Sequence, residues 1–274
     1  MTKTWVPFYS VDAFARKPFT GNPAGVCIMS CSLDDQLYQS IASEMEHPET
    51  AFVEKIRENE YQLRWFTPKV EIRLCGHATL ASAHVLFNHL SIESSQVSFH
   101  SLSGVLKASK TEEGVQLDFP RDDPYKVNPP EDILTGLGLK DVVEAIYGPQ
   151  NMYLIFVLKD EKEVRGVKPD FSRLGTAKSS FNVKAVCITA RGSHGYDFVS
   201  RMFAPWMGIN EDPVTGSVHT VLTPYWSEKL GKNHLKAYQA SDRGGELILG
   251  IDKQRAYITG SSVTVVKGKL FLEY

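Results

Sequence analysis

The chain has 274 residues, of which 42% are hydrophobic and 23% charged, with a formal net charge of −2. That length accommodates two domains of common size, and the near balance of charge gives no reason to invoke nucleic acid or a membrane surface as a partner. No apolar run reaches the roughly 18 residues of a spanning helix, the first residues lack the apolar core of a signal peptide, and a cytoplasmic protein is expected.

Residues 6–14 and 24–29 are apolar and β-rich, and Pro18-Phe19-Thr20-Gly21-Asn22-Pro23 between them is a turn-forming cluster. Leu37, Ile41 and Met45 recur every fourth residue, which predicts a helix over 34–45 with one buried face. Residues 50–55 and 61–67 are strand candidates. A second helix begins after Gly76, with Leu80, Ala83, His84 and Phe87 on one side. Short strands over 97–100, 105–109 and 115–119 close the first half, and the polar Pro120-Arg121-Asp122-Asp123-Pro124 is the best domain boundary. The division expected is an N-terminal lobe over 1–119 and a C-terminal lobe over 125–274, whose last strand can return to the first lobe.

In the second half, 132–137 and 141–147 read as helices, and 152–158, 185–189 and 196–203 as strands. A helix follows Gly216, over 218–230. Strands over 235–240, 246–249, 256–259, 263–266 and 269–273 come after it, separated by the glycines that tight antiparallel turns require, Gly268 among them. Many short strands with one principal helix per half do not alternate as a doubly wound sheet does. No Gly-x-Gly-x-x-Gly and no phosphate-binding Gly-x-x-x-x-Gly-Lys is present.

The four cysteines (Cys27, Cys31, Cys75, Cys187) are scattered, form no zinc-finger spacing and do not suggest a disulfide framework. His77, His84 and His89 lack the His-Glu-x-x-His pattern, so no metal site is expected, and no Gly-x-Ser-x-Gly elbow marks a serine hydrolase. Two segments share one layout: Leu74-Cys75-Gly76-His77-Ala78-Thr79 and, roughly 140 residues later, Asp212-Pro213-Val214-Thr215-Gly216-Ser217. Each turns into a helix N-terminus, where unpaired N–H groups bind anions. His77 there could shuttle a proton or bond locally. Asp212 could bond an amine or hydroxyl, and Ser217 with adjacent N–H groups a carboxylate, or the Asp and Thr of the turn could simply serve as caps. His219 could be a packing residue. Glu49 follows Pro48 at a helix-to-strand corner among apolar residues. A carboxyl group in that place can exchange protons near neutrality, or can be an ordinary solvated loop carboxylate.

Six segments in order resemble the phenazine-biosynthesis PhzF-like isomerase family over nearly the whole chain: Val11-Asp12-Ala13-Phe14 with Pro18-Phe19-Thr20-Gly21-Asn22-Pro23-Ala24; Glu49-Thr50-Ala51-Phe52-Val53; Arg64-Trp65-Phe66-Thr67-Pro68; Leu74 to Thr79; Ser200-Arg201-Met202-Phe203-Ala204-Pro205; and Glu211 to Ser217. The resemblance implies an α+β, diaminopimelate-epimerase-like fold: two similar lobes, each a curved, mostly antiparallel sheet or barrel around a central helix, with the active site in a cleft between them. It implies a homodimer, no cofactor, and proton transfer on a small carboxylate; characterised members isomerise trans-2,3-dihydro-3-hydroxyanthranilate. By the same resemblance Glu49 is the acid/base, His77 and Asp212 complete the catalytic set, and Asn22, Gly76, Gly216 and Ser217 bind substrate. Glu46-His47-Pro48 departs from the Asn-Leu-Ser frequent before the Glu, Arg73 stands where a Pro is frequent, and Val218-His219-Thr220 is similar to the subgroup of unassigned substrate. An amino-acid racemase of this fold uses two thiols; Cys75 takes one position and Pro213 the other, which disfavours that chemistry. A non-catalytic ligand-binding protein is the remaining alternative.

Overall fold

The computed structural model describes residues 3–273; Met1, Thr2 and Tyr274 lie outside them, and the expectation drawn from the first residues falls in part on Met1 and Thr2. In chain order the elements are β1 (Lys3–Ala13), β2 (Asn22–Met29), α1 (Asp35–Met45), β3 (Glu49–Arg57), β4 (Glu60–Phe66), β5 (Glu71–Ile72), α2 (Gly76–Asn88), β6 (Gln96–Ser101), β7 (Gly104–Thr111), β8 (Gly114–Pro120), β9 (Tyr125–Lys126), α3 (Glu131–Leu137), β10 (Glu144–Gly148), β11 (Tyr153–Val157), α4 (Glu161–Gly166), α5 (Phe171–Thr176), β12 (Ala185–Arg191), β13 (Phe198–Ala204), β14 (Ile209–Asp212), α6 (His219–Leu230), β15 (His234–Gln239), β16 (Gly245–Ile251), β17 (Arg255–Gly260) and β18 (Ser262–Glu273). The chain divides into two compact units, Met1–Asp118 with Thr259–Tyr274, and Phe119–Ile258. The second unit therefore ends at Ile258, and the chain after it belongs to the first.

In the first unit β1 lies antiparallel to both β18 and β2. β2 runs parallel to β3 through the α1 crossover, β3 is antiparallel to β4, β4 is parallel to β6 through the α2 crossover, and β6, β7 and β8 form a meander. α1 starts where the Asp34 carboxylate accepts the Leu37 N–H at 2.8 Å, a side-chain cap for a backbone donor that has no partner inside the helix. It buries Tyr38, Ile41 and Ala42, with Leu37 and Met45 at the margin, against Phe8, Cys27, Phe52 and Phe66 of the sheet. α2 is buried on nearly every side, from Gly76 through Phe87, and touches β1, β2, β3, β7 and β18. A helix apolar all round belongs inside a fold. Its run of Gly, Ala, Ser and Thr keeps it thin enough for the sheet to curl about it.

The second unit repeats this plan. β10 is antiparallel to β11, β11 parallel to β12, β12 antiparallel to β13, β13 parallel to β15 through the α6 crossover, and β15 antiparallel to β16. α3, α4 and α5 cover one face with Ile133, Leu137, Val164 and Leu174 on Leu154, Phe156, Val186 and Phe203. α6 is the buried helix, His219 through Ser227. Pro224 inside it cannot bond the Thr220 carbonyl one turn back; the Asp122 N–H takes that carbonyl at 3.1 Å instead. Asp122 is itself buried and accepts from the Gln150 and Asn151 backbone N–H groups and the Asn151 amide, so the segment read as a polar boundary is anchored in the second unit.

Two expectations are corrected. Residues 141–147 were expected as helix, but Glu144–Gly148 is a strand between β9 and β11, because Ala145, Ile146 and Tyr147 are all buried by partners the helical period ignores. Gly268 is no turn: it pairs with Phe8 within one twelve-residue strand. Among the described residues no helix is long and apolar enough to cross a membrane.

Candidate functional site

The corner before Glu49 is tightly built. α1 ends at Glu46 in the left-handed conformation, φ 52°. His47 then folds back, its Nδ1 on the Met45 carbonyl at 3.0 Å and its Nε2 against the Ser10 hydroxyl at 2.8 Å. Burial lowers the His47 pKa, against the Met45 bond and the Asp12 charge, which raise it. A neutral ring donating from Nδ1 and accepting at Nε2 satisfies both partners. Glu49 opens β3 in register with Ala24 of β2 and is only 7% exposed.

His77, the second residue of α2, is 6% exposed, and its Nε2 lies 3.1 Å from Glu49 Oε2. Among the described residues no donor reaches that oxygen with good hydrogen-bond direction, so the contact is chiefly electrostatic. The Asn22 amide lies 3.1 Å from the other ring nitrogen, Nδ1. Asn22 is held there by Gly21, whose φ of +68° and 2.1 Å approach of any Cβ to the Ala13 carbonyl oxygen admit only glycine. The Cys75 sulfur completes the cluster, 3.5 Å from His77 Nδ1 and 3.9 Å from Nε2. Burial disfavours the charged imidazole, but the Cys75 sulfur and the Glu49 carboxylate outweigh it and hold the His77 pKa well above its ordinary value. Burial, with Glu49 close by, pushes the Cys75 thiol upward. The Asn22 atom beside Nδ1 is Nδ2; a ring carrying both protons would require the amide turned so that its oxygen accepts.

Ligand atoms of Glu49, Cys75 and His77 fall within 4.8 Å of one another, as a metal chelate requires. The sulfur, however, is almost equidistant from the two ring nitrogens. It therefore lies beside the ring and off the lone-pair axis of either nitrogen, where one ion cannot bind both in this rotamer. His84 and His89 both turn Nε2 to the Thr264 hydroxyl, at 3.1 and 2.7 Å.

In the second unit the corresponding turn is organised about Asp212. The Thr215 hydroxyl donates to Asp212 Oδ2 at 2.5 Å, and the fully buried Gln239 bonds the backbone of both residues. Gly216 is buried, and its carbonyl receives the His219 N–H at 3.1 Å. Ser217 Oγ is 2.9 Å from the Tyr153 hydroxyl. His219 is fully buried, places Nδ1 2.8 Å from the Thr215 carbonyl and stacks on Phe198. Burial lowers its pKa to about 4, so the ring is a neutral packing group.

The two turns share one register. The Thr79 hydroxyl bonds the Cys75 carbonyl four residues back, as His219 bonds that of Thr215, and the next turn repeats the step with Thr223 on His219. Aligned on Gly76 and Gly216, the repeated layout sets Thr215, not Pro213, opposite Cys75. The structure brings Glu49, His77, Asn22 and Cys75 together in the first unit, and Asp212, Gly216 and Ser217 in the second. Sequence reasoning missed Gln239, Thr215 and Tyr153. Thr215 was signalled by the repeated layout, whereas Gln239 and Tyr153 sit on strands with no local mark.

Residues 11–268 match the family described as phenazine biosynthesis-like protein. The chain belongs to this family. A protein from Halalkalibacterium halodurans named as an uncharacterized isomerase is 43% identical over 97% of this chain and 98% of its own length. The crystal structure of a PhzF family protein from Enterococcus faecalis is 43% identical, with a TM-score of 0.92 over 98% of this chain and 100% of that one. A hydroxyproline epimerase from Agrobacterium vitis has a TM-score of 0.61 at 10% identity, over 98% of this chain and 93% of that one, a likeness of fold alone. The phenazine biosynthesis-like chain is thus a PhzF-like isomerase with an epimerase-type α+β fold.

Proposed function

We propose that this isomerase moves a proton between carbons of a small carboxylate-bearing metabolite, with Glu49 as both acid and base and without a cofactor. The observation that carries the reading is the buried Glu49–His77 contact at 3.1 Å. A carboxylate shielded from water can take a proton from carbon and return it to the substrate before it is lost to solvent. A protonated imidazole beside it stabilises the carboxylate before it takes the proton and again after it has returned it, and Asn22 fixes the orientation of that ring. On this reading Asp212 bonds an amine or hydroxyl of the substrate, while Ser217 and the amides at Gly76 and Gly216 hold its carboxylate, as helix N-termini hold anions. The family resemblance adds a homodimer; sedimentation at the mass of one chain would remove that part.

A two-thiol racemase is the competing chemistry, and Thr215 at the position matching Cys75 weighs against it. The test is deuterium incorporation from heavy water into a panel of small amino and hydroxy carboxylates, including trans-2,3-dihydro-3-hydroxyanthranilate, read by mass shift. Exchange by the wild type that Glu49→Gln abolishes supports the reading. Exchange that survives Glu49→Gln but not Cys75→Ser transfers the chemistry to the thiol and sinks it.

A further inference from the structure

Gln239 ends β15 with none of its side chain exposed, and a buried amide needs every strong partner it can find. Its Oε1 accepts the Thr215 N–H at 2.8 Å. Its Nε2 donates to the Asp212 carbonyl at 2.7 Å and to Thr215 Oγ1 at 3.3 Å. These partners fix the orientation of the amide. Turned the other way, it would set its NH2 against the Thr215 N–H and its oxygen against the Asp212 carbonyl.

The consequence lies one atom further on. A threonine hydroxyl has a single hydrogen and two acceptor sites. Gln239 supplies a hydrogen to one of those acceptor sites, and the hydroxyl hydrogen points to Asp212 Oδ2, 2.5 Å away. The neighbouring loop is tied down as well: the Ser241 hydroxyl donates to the Pro213 carbonyl at 2.7 Å and accepts the Gly244 N–H at 3.1 Å. Pro213 and Gly216 within the turn leave little regular ladder to hold it, so the side chains of Gln239 and Ser241 do so.

We infer that Gln239 is a positioning residue that, through Thr215, fixes the rotamer and hydrogen bonding of the Asp212 carboxylate. The inference rests on the proposed reading only in taking Asp212 as a substrate-binding group; the chain Gln239–Thr215–Asp212 is a property of the second unit itself. Glutamine is the side chain that suits the position. Glutamate would oppose an oxygen to the Asp212 carbonyl, and a hydrocarbon would leave the Thr215 N–H and that carbonyl buried without their bonds.

The experiment is a carboxyl-carbon NMR titration of the full chain, with the Asp212 signal assigned by Asp212→Asn. Thr215→Val removes the hydroxyl at nearly constant volume, Thr215→Ser retains it, and Gln239→Met removes the amide without adding charge. Loss of a hydrogen bond to the charged form raises a carboxyl midpoint, by about one pH unit. Thr215→Val is expected to move the Asp212 midpoint up by that amount, Gln239→Met in the same direction, and Thr215→Ser not at all, each variant being checked for cooperative melting. A wild-type Asp212 midpoint in folded Gln239→Met and Thr215→Val overturns the inference. Should Gln239→Met not fold, Thr215→Val against Thr215→Ser decides alone. The exchange assay separates the two readings. Full exchange by Asp212→Asn alongside a shifted midpoint in Gln239→Met removes Asp212 from the proposed site and leaves the positioning intact, whereas the converse removes only the positioning.

Discussion

Replacing Glu49 by Gln is expected to lower the titration midpoint of His77, which stands well above its ordinary value. At an effective dielectric of about 20, unit charges 3.1 Å apart attract by about 5 kcal/mol, equal to nearly four pH units at about 1.4 kcal/mol each. Burial opposes that attraction, and the net result is the raised pKa. Without the carboxylate, the Cys75 sulfur is left to oppose burial, so the midpoint falls. The stability consequence has a definite sign. A folded-state pKa above the unfolded one, about 6.5, means that the native state binds the extra proton. The stabilisation is full below pH 6.5 or so and is lost as pH rises through the folded midpoint, by at most about 1.4 kcal/mol per pH unit. His77 would be followed by its ring carbon–proton NMR signal, and stability by urea unfolding between pH 6 and 9 for wild type and Glu49→Gln. A His77 midpoint unchanged by Glu49→Gln, or unfolding free energies that run parallel across that range, would refute the pairing.

Gly21→Ala is expected to destabilise the fold by more than about 2 kcal/mol in urea unfolding, because the new Cβ meets the Ala13 carbonyl oxygen in a left-handed turn. Phe156→Ala, at a fully buried site of the second unit, should cost about 3–5 kcal/mol in the same measurement. Burial disfavours the Glu144 carboxylate, but Lys126, Tyr225 and Lys229 outweigh it and hold its pKa at about 2. Its contribution is therefore present above about pH 4.5 and is lost as pH falls through 2, so Glu144→Gln should flatten acid unfolding in that window. Thiol titration of the folded protein should find Cys31 reacting fast and Cys27, Cys75 and Cys187 slowly, since only Cys31 is exposed and burial pushes the other three upward; four equally fast thiols would contradict that burial.

What the sequence disclosed follows from which signals are local. The helix period of Leu37, Ile41 and Met45, the break at Pro48 and the turn at Gly21 are properties of neighbouring residues, and each has its structural counterpart. Glu144 to Gly148 fails as a local reading because its state is decided by strands on either side of it, and tertiary pairing overrides propensity. Gly268 fails for the same reason: opposite Phe8 it completes a ladder, although glycine in isolation signals a turn. The candidate site divides likewise. Glu49, His77 and Asp212 stand beside Pro and Gly, which mark corners. Gln239 lies 24 residues from Thr215 along the chain in an unremarkable strand, and only the fold joins them.

The two turns share a helix-start layout and differ in the residues they carry. The bonds from the Thr79 and His219 side chains to the Cys75 and Thr215 carbonyls serve the same purpose at the start of each buried helix, so the plan tolerates a thiol or a hydroxyl at the first position. The residue two places on is free to differ too, His77 in one unit and Ser217 in the other. The first unit carries titratable groups at its turn, with Glu49 against the imidazole. The second filled its turn with a hydroxyl pair, Ser217 and Tyr153, and a carboxylate fixed by Thr215. On the proposed function that is a division of labour within a duplicated plan, proton transfer on one side and substrate recognition on the other. It predicts that Ser217→Ala raises KM more than it lowers kcat, whereas His77→Gln lowers kcat. Equal effects of the two substitutions on kcat would contradict the division.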